Sequence, residues 1–118
     1  MDMMQIGELA DRAELSLRTI RHYDEVGLLK PSGRSDGGFR LYTEGDLERL
    51  LLIRRMKPLG FTLDEMGELL AAIDAPQDPA SARRLADFHA EAQQRREKLA
   101  RQVAWADEFL GLLEARAG

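Results

Sequence analysis

The chain has 118 residues, room for one small domain or one small domain with an extension, and it contains no cysteine, which excludes a disulfide framework, a thiolate metal site and a thiol redox switch. The formal net charge of −4 counts against a nucleic-acid partner only if the signs are mixed, and here they are not. Acids concentrate after residue 60, whereas from Arg18 to Lys57 nine bases outnumber six acids, a modest excess that suits one electrostatic footprint rather than general coating of a polyanion. The start, M-D-M-M-Q, has no basic region leading into an apolar run, and no stretch approaches the length of a membrane span, so a cytoplasmic protein is expected.

In chain order, residues 4–13 place Ile6, Leu9, Ala10 and Ala13 on one helical face. Glu14 and Leu15 then make a short turn. If that turn needs positive φ, Glu14 carries a strain of about 1 kcal/mol. Ser16 is a helix cap, and Gly27 can close the same helix in the left-handed region. Within it Arg18, Arg21 and Tyr23 are expected on the solvent side, with Leu17, Ile20, Val26, Leu28 and Leu29 toward a core. A short, basic, exposed helix fits a DNA major groove, and the guanidinium groups of Arg18 and Arg21 can pair bidentately with guanine.

After Gly27 the period changes. Leu28 to Lys30 and Phe39 to Tyr42 read as the arms of a hairpin around a tip at residues 32–38. Gly37-Gly38 lets backbone approach a phosphate closely, with Arg34 and Arg40 on either side. Helix, hairpin and basic tips together read as a winged helix-turn-helix.

A third helix is expected from Thr43 to Lys57, opened by a capping box of Thr43 and Asp46, lined by Leu47, Leu50, Leu51, Ile53 and Met56, and stopped by Pro58 with Gly60 at its exit. Arg54, Arg55 and Lys57 at its end are read as answering the helix dipole on a solvated face, with phosphate contact as the lesser alternative. Thr62 and Glu65 open the next helix, Phe61 can staple to Met66, and Met66, Leu69, Leu70 and Ile73 form its buried stripe through residue 73. Asp78-Pro79 is a cap and first-turn pair for a last helix, broken only mildly at Gly111 and roughly 55 Å long. So long a helix needs a partner. Leu85, Phe88, Ala92, Leu99, Val103, Ala106, Leu110 and Leu113 form a coiled-coil seam interrupted by Arg95 and Gln102, which favours a homodimer without distinguishing parallel from antiparallel pairing. The apolar surface near the end, including Trp105 and Phe109, is broader than a seam: it is either packing against the partner's DNA-binding domain or a small-molecule pocket beneath Trp105.

The run S-L-R-T-I-R-H-Y-D-E-V-G-L-L, the later G-G-F-R-L-Y and L-G-F-T-L-D-E-M together resemble the MerR family of bacterial transcription regulators over residues 4 to about 73. The resemblance implies a mainly α fold: a winged helix-turn-helix DNA-binding domain (1–74) with a small β-hairpin wing, a linker (75–79) and a dimerisation helix (80–118) paired as an antiparallel coiled coil. It implies double-stranded promoter DNA as partner, bound by a homodimer at an inverted repeat in an over-long spacer that is distorted to activate or repress, with RNA polymerase at the same promoter. Thr19, His22 and Tyr23 match positions that approach phosphates, and Arg34, Gly38, Phe39, Arg40 and Tyr42 match the wing, where the hydroxyl of Tyr42 can meet a phosphate and Arg40 can reach the backbone beside it. His22 and Phe39 stand where tyrosine is common, and many relatives carry glycine at the position of Glu14.

No catalytic constellation is visible, and neither His22 nor His89 has metal-ligand neighbours in sequence, so no enzyme, cofactor or metal is expected. The family's metal and oxidation sensors use cysteines that this chain lacks, which leaves the effector open. The alternative from another class is a coiled-coil protein-interaction module for which DNA binding is only a tether.

Overall fold

The computed structural model describes residues 2–117, which fold into a mostly helical chain. The order is β1 (Met4–Gln5), α1 (Ile6–Ala13), α2 (Leu17–Glu25), β2 (Gly33–Arg34), β3 (Arg40–Tyr42), α3 (Glu44–Met56), a 3₁₀ turn (Lys57–Leu59), α4 (Leu63–Asp74) and α5 (Pro79–Ala117). The chain divides into two compact units between Leu70 and Ala71.

In the first unit, α1 buries Leu9, Ala10 and Ala13. It ends on Glu14 at φ 55°, the one non-glycine residue with positive φ among the described residues, whose amide donates to the carbonyls of Ala10 and Asp11. The expected strain at this turn is therefore present. Ser16 Oγ accepts from the amide of Thr19 at 3.1 Å and opens α2. Gly27 at φ 79° turns the chain, after which the amides of Leu28 and Leu29 both donate to the carbonyl of Tyr23.

Several expectations for this stretch need correction. Tyr23 is buried, only 3 % exposed, while Leu17 and Val26 are exposed. Helical spacing gives a face but not its direction, and the side of α2 carrying Ile20 and Tyr23 is the one turned to the core. Residues 4 and 5 are strand, not helix, and the hairpin arms are Gly33–Arg34 and Arg40–Tyr42 rather than residues 28–30 and 39–42. The three strands form an antiparallel sheet in the order β1-β3-β2, with Met4 opposite Tyr42, Leu41 opposite both Gln5 and Gly33, and Arg34 opposite Arg40. Strands of two residues are too short to show a period of two.

Thr43 and Asp46 form the expected reciprocal capping box at the start of α3. Asp46 is buried, and its Oδ2 also accepts from Ser32 Oγ at 2.5 Å, tying the wing to the helix that follows it. α3 buries Leu47, Leu50, Ile53 and Met56. With Leu9, Ile20 and Tyr42 these residues form the centre of the core, and each such fully buried large side chain contributes roughly 1.5–3 kcal/mol. Two arginines join helices: Arg12 pairs in fork geometry with Glu44 at 2.6 and 3.0 Å, and Arg54 Nη1 donates to the carbonyl of Ala13 at 2.6 Å, satisfying the C-terminal end of α1. The role read for Arg54 from α3 alone, compensating its own helix dipole, is thus joined by capping of another helix.

Gly60 at φ 80° closes the 3₁₀ turn. Thr62 and Glu65 then exchange hydrogen bonds of 3.1 and 2.8 Å at the start of α4, as their spacing predicts. Phe61, Met66 and Leu70 are buried. Ile73, expected in the same stripe, is 42 % exposed, and Ala72 is buried instead.

In the second unit, Asp78 Oδ1 accepts from the amide of Ala80 at 2.9 Å and caps α5. The helix runs 39 residues without a break at Gly111, which corrects the expected interruption; at 1.5 Å per residue it spans roughly 58 Å. A single glycine lowers helix propensity by only about 1 kcal/mol, too little to break so long a helix. Ser81 is the one buried side chain among its described residues. Val103, Trp105, Phe109, Leu110, Leu112 and Leu113 are all exposed in the single chain, Trp105 by 61 %.

Candidate nucleic-acid interface

The outer face of α2 carries Arg18, Arg21 and His22, all exposed. Arg18 and Arg21 make no ion pair or hydrogen bond with side chains among the described residues, so both guanidinium groups are uncommitted. A concavity runs along Arg18, Arg21, His22 and Glu25. Beside it lies a groove of about 480 Å³ whose walls are Arg18, Thr19, His22 and Tyr23 from α2 and Lys57, Phe61, Thr62, Leu63 and Met66 from the turn into α4.

Lys57 is a wall of this groove that its place in the sequence does not reveal. Its position at the end of α3 explains a cation there without DNA, and only the fold of the 3₁₀ turn over α2 places it in one groove with Arg18 and His22. Tyr23 reaches this groove from its buried position, its ring 6.3 Å from that of His22, and burial raises its phenol above the ordinary value.

The wing is held by short contacts. Arg34 Nη1 donates to the carbonyl of Gly38 at 3.0 Å across the tip, and Gly38 takes φ 82° to allow the turn. The amide of Phe39 donates to Ser35 Oγ at 3.1 Å. The Phe39 ring is 64 % exposed and lies over Gly37, where an added Cβ would come within 3.1 Å of a ring carbon. Phe39 therefore presents an apolar tip to solvent instead of packing into the core.

Two wing residues depart from their expected geometry. Arg40 does not reach freely outward: its Nε donates to Asp24 Oδ2 at 2.8 Å, which raises the guanidinium's pKa further. Tyr42 is fully buried, and its hydroxyl is the one buried side-chain polar atom without a partner among the described residues. The expectation that this hydroxyl lies where it can meet a phosphate is corrected. Tyr42 pairs with Met4 in the centre of the sheet, and the register turns it inward.

On α5 the seam residues Leu85, Leu99, Val103, Ala106, Leu110 and Leu113 are exposed and Phe88 and Ala92 half-buried, while Trp105 and Phe109 stand one turn apart among them. No three His, Asp or Glu side chains converge as metal ligands among the described residues. Again among those residues, no helix is long and apolar enough to cross a membrane.

A family model described as MerR HTH family regulatory protein matches residues 4–73, and one described as MerR, DNA binding matches residues 47–108. The mercuric resistance operon regulatory protein of Bacillus cereus is 42 % identical over 84 residues, 71 % of this chain and 62 % of that protein. The chain thus spans less than two thirds of that relative's length. Among solved structures, MtaN, the N-terminus of the Bacillus subtilis multidrug transporter activator, is 35 % identical with a TM-score of 0.63, covering 94 % of each chain. HiNmlR, a MerR family regulator lacking the sensor domain and bound to promoter DNA, is 27 % identical with a TM-score of 0.69, covering 98 % of this chain and 87 % of that one. The matching families and this curated relative are regulators, not enzymes.

Proposed function

The chain belongs to the MerR family of helix-turn-helix regulatory proteins, and we propose that it is a sequence-specific, DNA-binding transcription regulator acting as a homodimer at an inverted-repeat operator. In this reading residues 1–74 read the DNA, 75–79 link, and the helix from residue 80 pairs with a second copy. The observation that carries it is the basic face of α2, where Arg18 and Arg21 are exposed and uncommitted beside a groove that adds Lys57. Arg18 and Arg21 take base edges; Thr19, His22 and Lys57 take phosphates. Arg34 and Arg40 hold the wing to the backbone, with Gly38 allowing close approach. The exposed apolar length of α5, far more than single surface leucines, supports dimerisation. An antiparallel pairing, by likeness to the family, sets two α2 helices apart on one face of the duplex.

The cytoplasm, where promoter DNA and RNA polymerase meet, is the proposed site of action, and distortion of the promoter spacer is the proposed means of activation or repression. The test is selection of bound genomic fragments by purified protein, followed by footprinting at moderate salt. One or a few inverted repeats between promoter elements are expected, and spacer length then separates activator from repressor. No enriched site from an intact dimer would overturn the reading.

A second reading has its own observation. Trp105, Phe109 and Leu112 extend the apolar surface beyond the seam, which suits either a small ligand beneath Trp105 or a protein partner for which DNA binding is a tether. A ligand would change Trp105 fluorescence in the intact dimer. Loss of a tight protein partner that abolishes function with DNA occupancy unchanged would favour the tether.

A further inference from the structure

Asp24 occupies a position that local physics disfavours. It lies in the last turn of α2, where the helix dipole disfavours an acid. Its residue is only 9 % exposed, so its charge is largely taken out of water. It also sets a negative charge against the surface proposed to bind a polyanion. What offsets these costs is the wing. Arg40 Nε lies 2.8 Å and Arg34 Nη2 3.9 Å from the same oxygen, Asp24 Oδ2.

The register explains why one carboxylate serves both. Arg34 and Arg40 stand directly opposite each other on β2 and β3, an arrangement in which like charges repel. Asp24 lies between the two and belongs to the helix, not the sheet. It holds Arg40 by Nε alone, and the two terminal nitrogens of that guanidinium have no hydrogen bond to the described residues. Arg34 and Arg40 side chains keep 52 % and 25 % of their exposure.

We propose that Asp24 is a positioning residue for DNA binding, which docks the wing on α2 and holds Arg40 and Arg34 together as a preformed clamp for one backbone phosphate. The proposal rests on the DNA-binding reading. Asp24 itself touches no DNA. Its contribution is to fix the Arg40 fork before the phosphate arrives, so that little side-chain freedom is lost on binding.

The test measures equilibrium binding of the full-length protein to its selected operator and to an unrelated duplex across a salt series, for wild type, Asp24→Asn and Asp24→Glu. Charge alone predicts that Asp24→Asn, which removes a negative charge, tightens binding to both duplexes. Positioning predicts the opposite sign. Asp24→Asn is expected to weaken both duplexes about tenfold, the size of one charge-assisted hydrogen bond, and to lower the slope of log affinity against log salt by about 0.9, the value for one lost phosphate. Asp24→Glu keeps the charge but displaces the carboxylate, and is expected not to restore binding.

If Asp24→Asn loses its native circular dichroism, Arg40→Lys decides. An ammonium has a single nitrogen and cannot hold Asp24 and a phosphate through separate edges, so the same drop in slope is expected with total charge unchanged. Unchanged or tighter binding by a folded Asp24→Asn, or a wild-type slope in Arg40→Lys, overturns the proposal while leaving the regulator reading intact. Wild-type protein that binds neither duplex overturns both.

Discussion

Replacing Tyr42 by Phe should stabilise the protein. The ring is fully buried in the central strand and Phe preserves its shape, so packing against the core is kept. What is lost is a hydroxyl that is shut away from solvent without a partner. A buried, unpaired hydroxyl costs about 1–3 kcal/mol, so Tyr42→Phe is expected to gain about 1–2 kcal/mol. For a domain of this size that corresponds to a rise in Tm of roughly 4–8 °C per kcal/mol. Urea unfolding should show a higher midpoint with an unchanged slope.

The same group has a pH signature. Burial raises the Tyr42 phenol above its ordinary value of 10.0. A raised folded-state value means that stability is intact below pH 10 and is lost as pH climbs from there through the folded value. Tyr42→Phe should remove part of that alkaline loss, and the remainder belongs in part to Tyr23, raised by the same cause. A loss of 1 kcal/mol or more in Tyr42→Phe would refute the reasoning by showing that the hydroxyl is satisfied. So would unchanged stability with weakened binding to all DNA, which would place the hydroxyl on a phosphate in the complex.

Other outcomes follow from single positions. Glu14→Gly should stabilise by about 1 kcal/mol in urea unfolding, because the turn holds φ 55° and glycine removes the left-handed penalty. Glu44 is held below its ordinary 4.5 by the hydrogen bonds from Arg12, so that contribution is present above pH 4.5 and lost as pH falls through the folded value; Glu44→Gln should flatten this part of the acid limb in pH-dependent melting. Arg18→Ala should weaken the operator about tenfold or more while changing unrelated DNA little, as a base contact does, in the same salt-series binding assay. Leu99→Glu, on the exposed seam, should shift the protein to monomer in sedimentation and abolish operator binding by the same step. A dimer that persists would remove Leu99 from the interface.

Capping and turn chemistry were legible in the order of the residues because their hydrogen bonds close within a few positions. Ser16 to Thr19, Thr43 with Asp46, Thr62 with Glu65 and Asp78 to Ala80 each complete a bond over two or three residues. Gly27, Gly60 and Glu14 mark turns whose φ is set by the same local geometry. The sequence by itself therefore determined the helices, the starts of the four capped ones from α2 to α5, and the long apolar stripe of α5, whereas α1, which has no side-chain cap, begins two residues later than its apolar spacing suggests. Only the tertiary structure decided which way α2 faces, because spacing is the same whichever side meets the core, and so it was packing that turned Tyr23 inward and left Leu17 exposed. Strand pairs of two residues, the groove that brings Lys57 to Arg18, and the ion pair of Asp24 with Arg40 across 16 positions are likewise products of packing. Their partners are distant in the chain, and neither member carries a local signal that names the other.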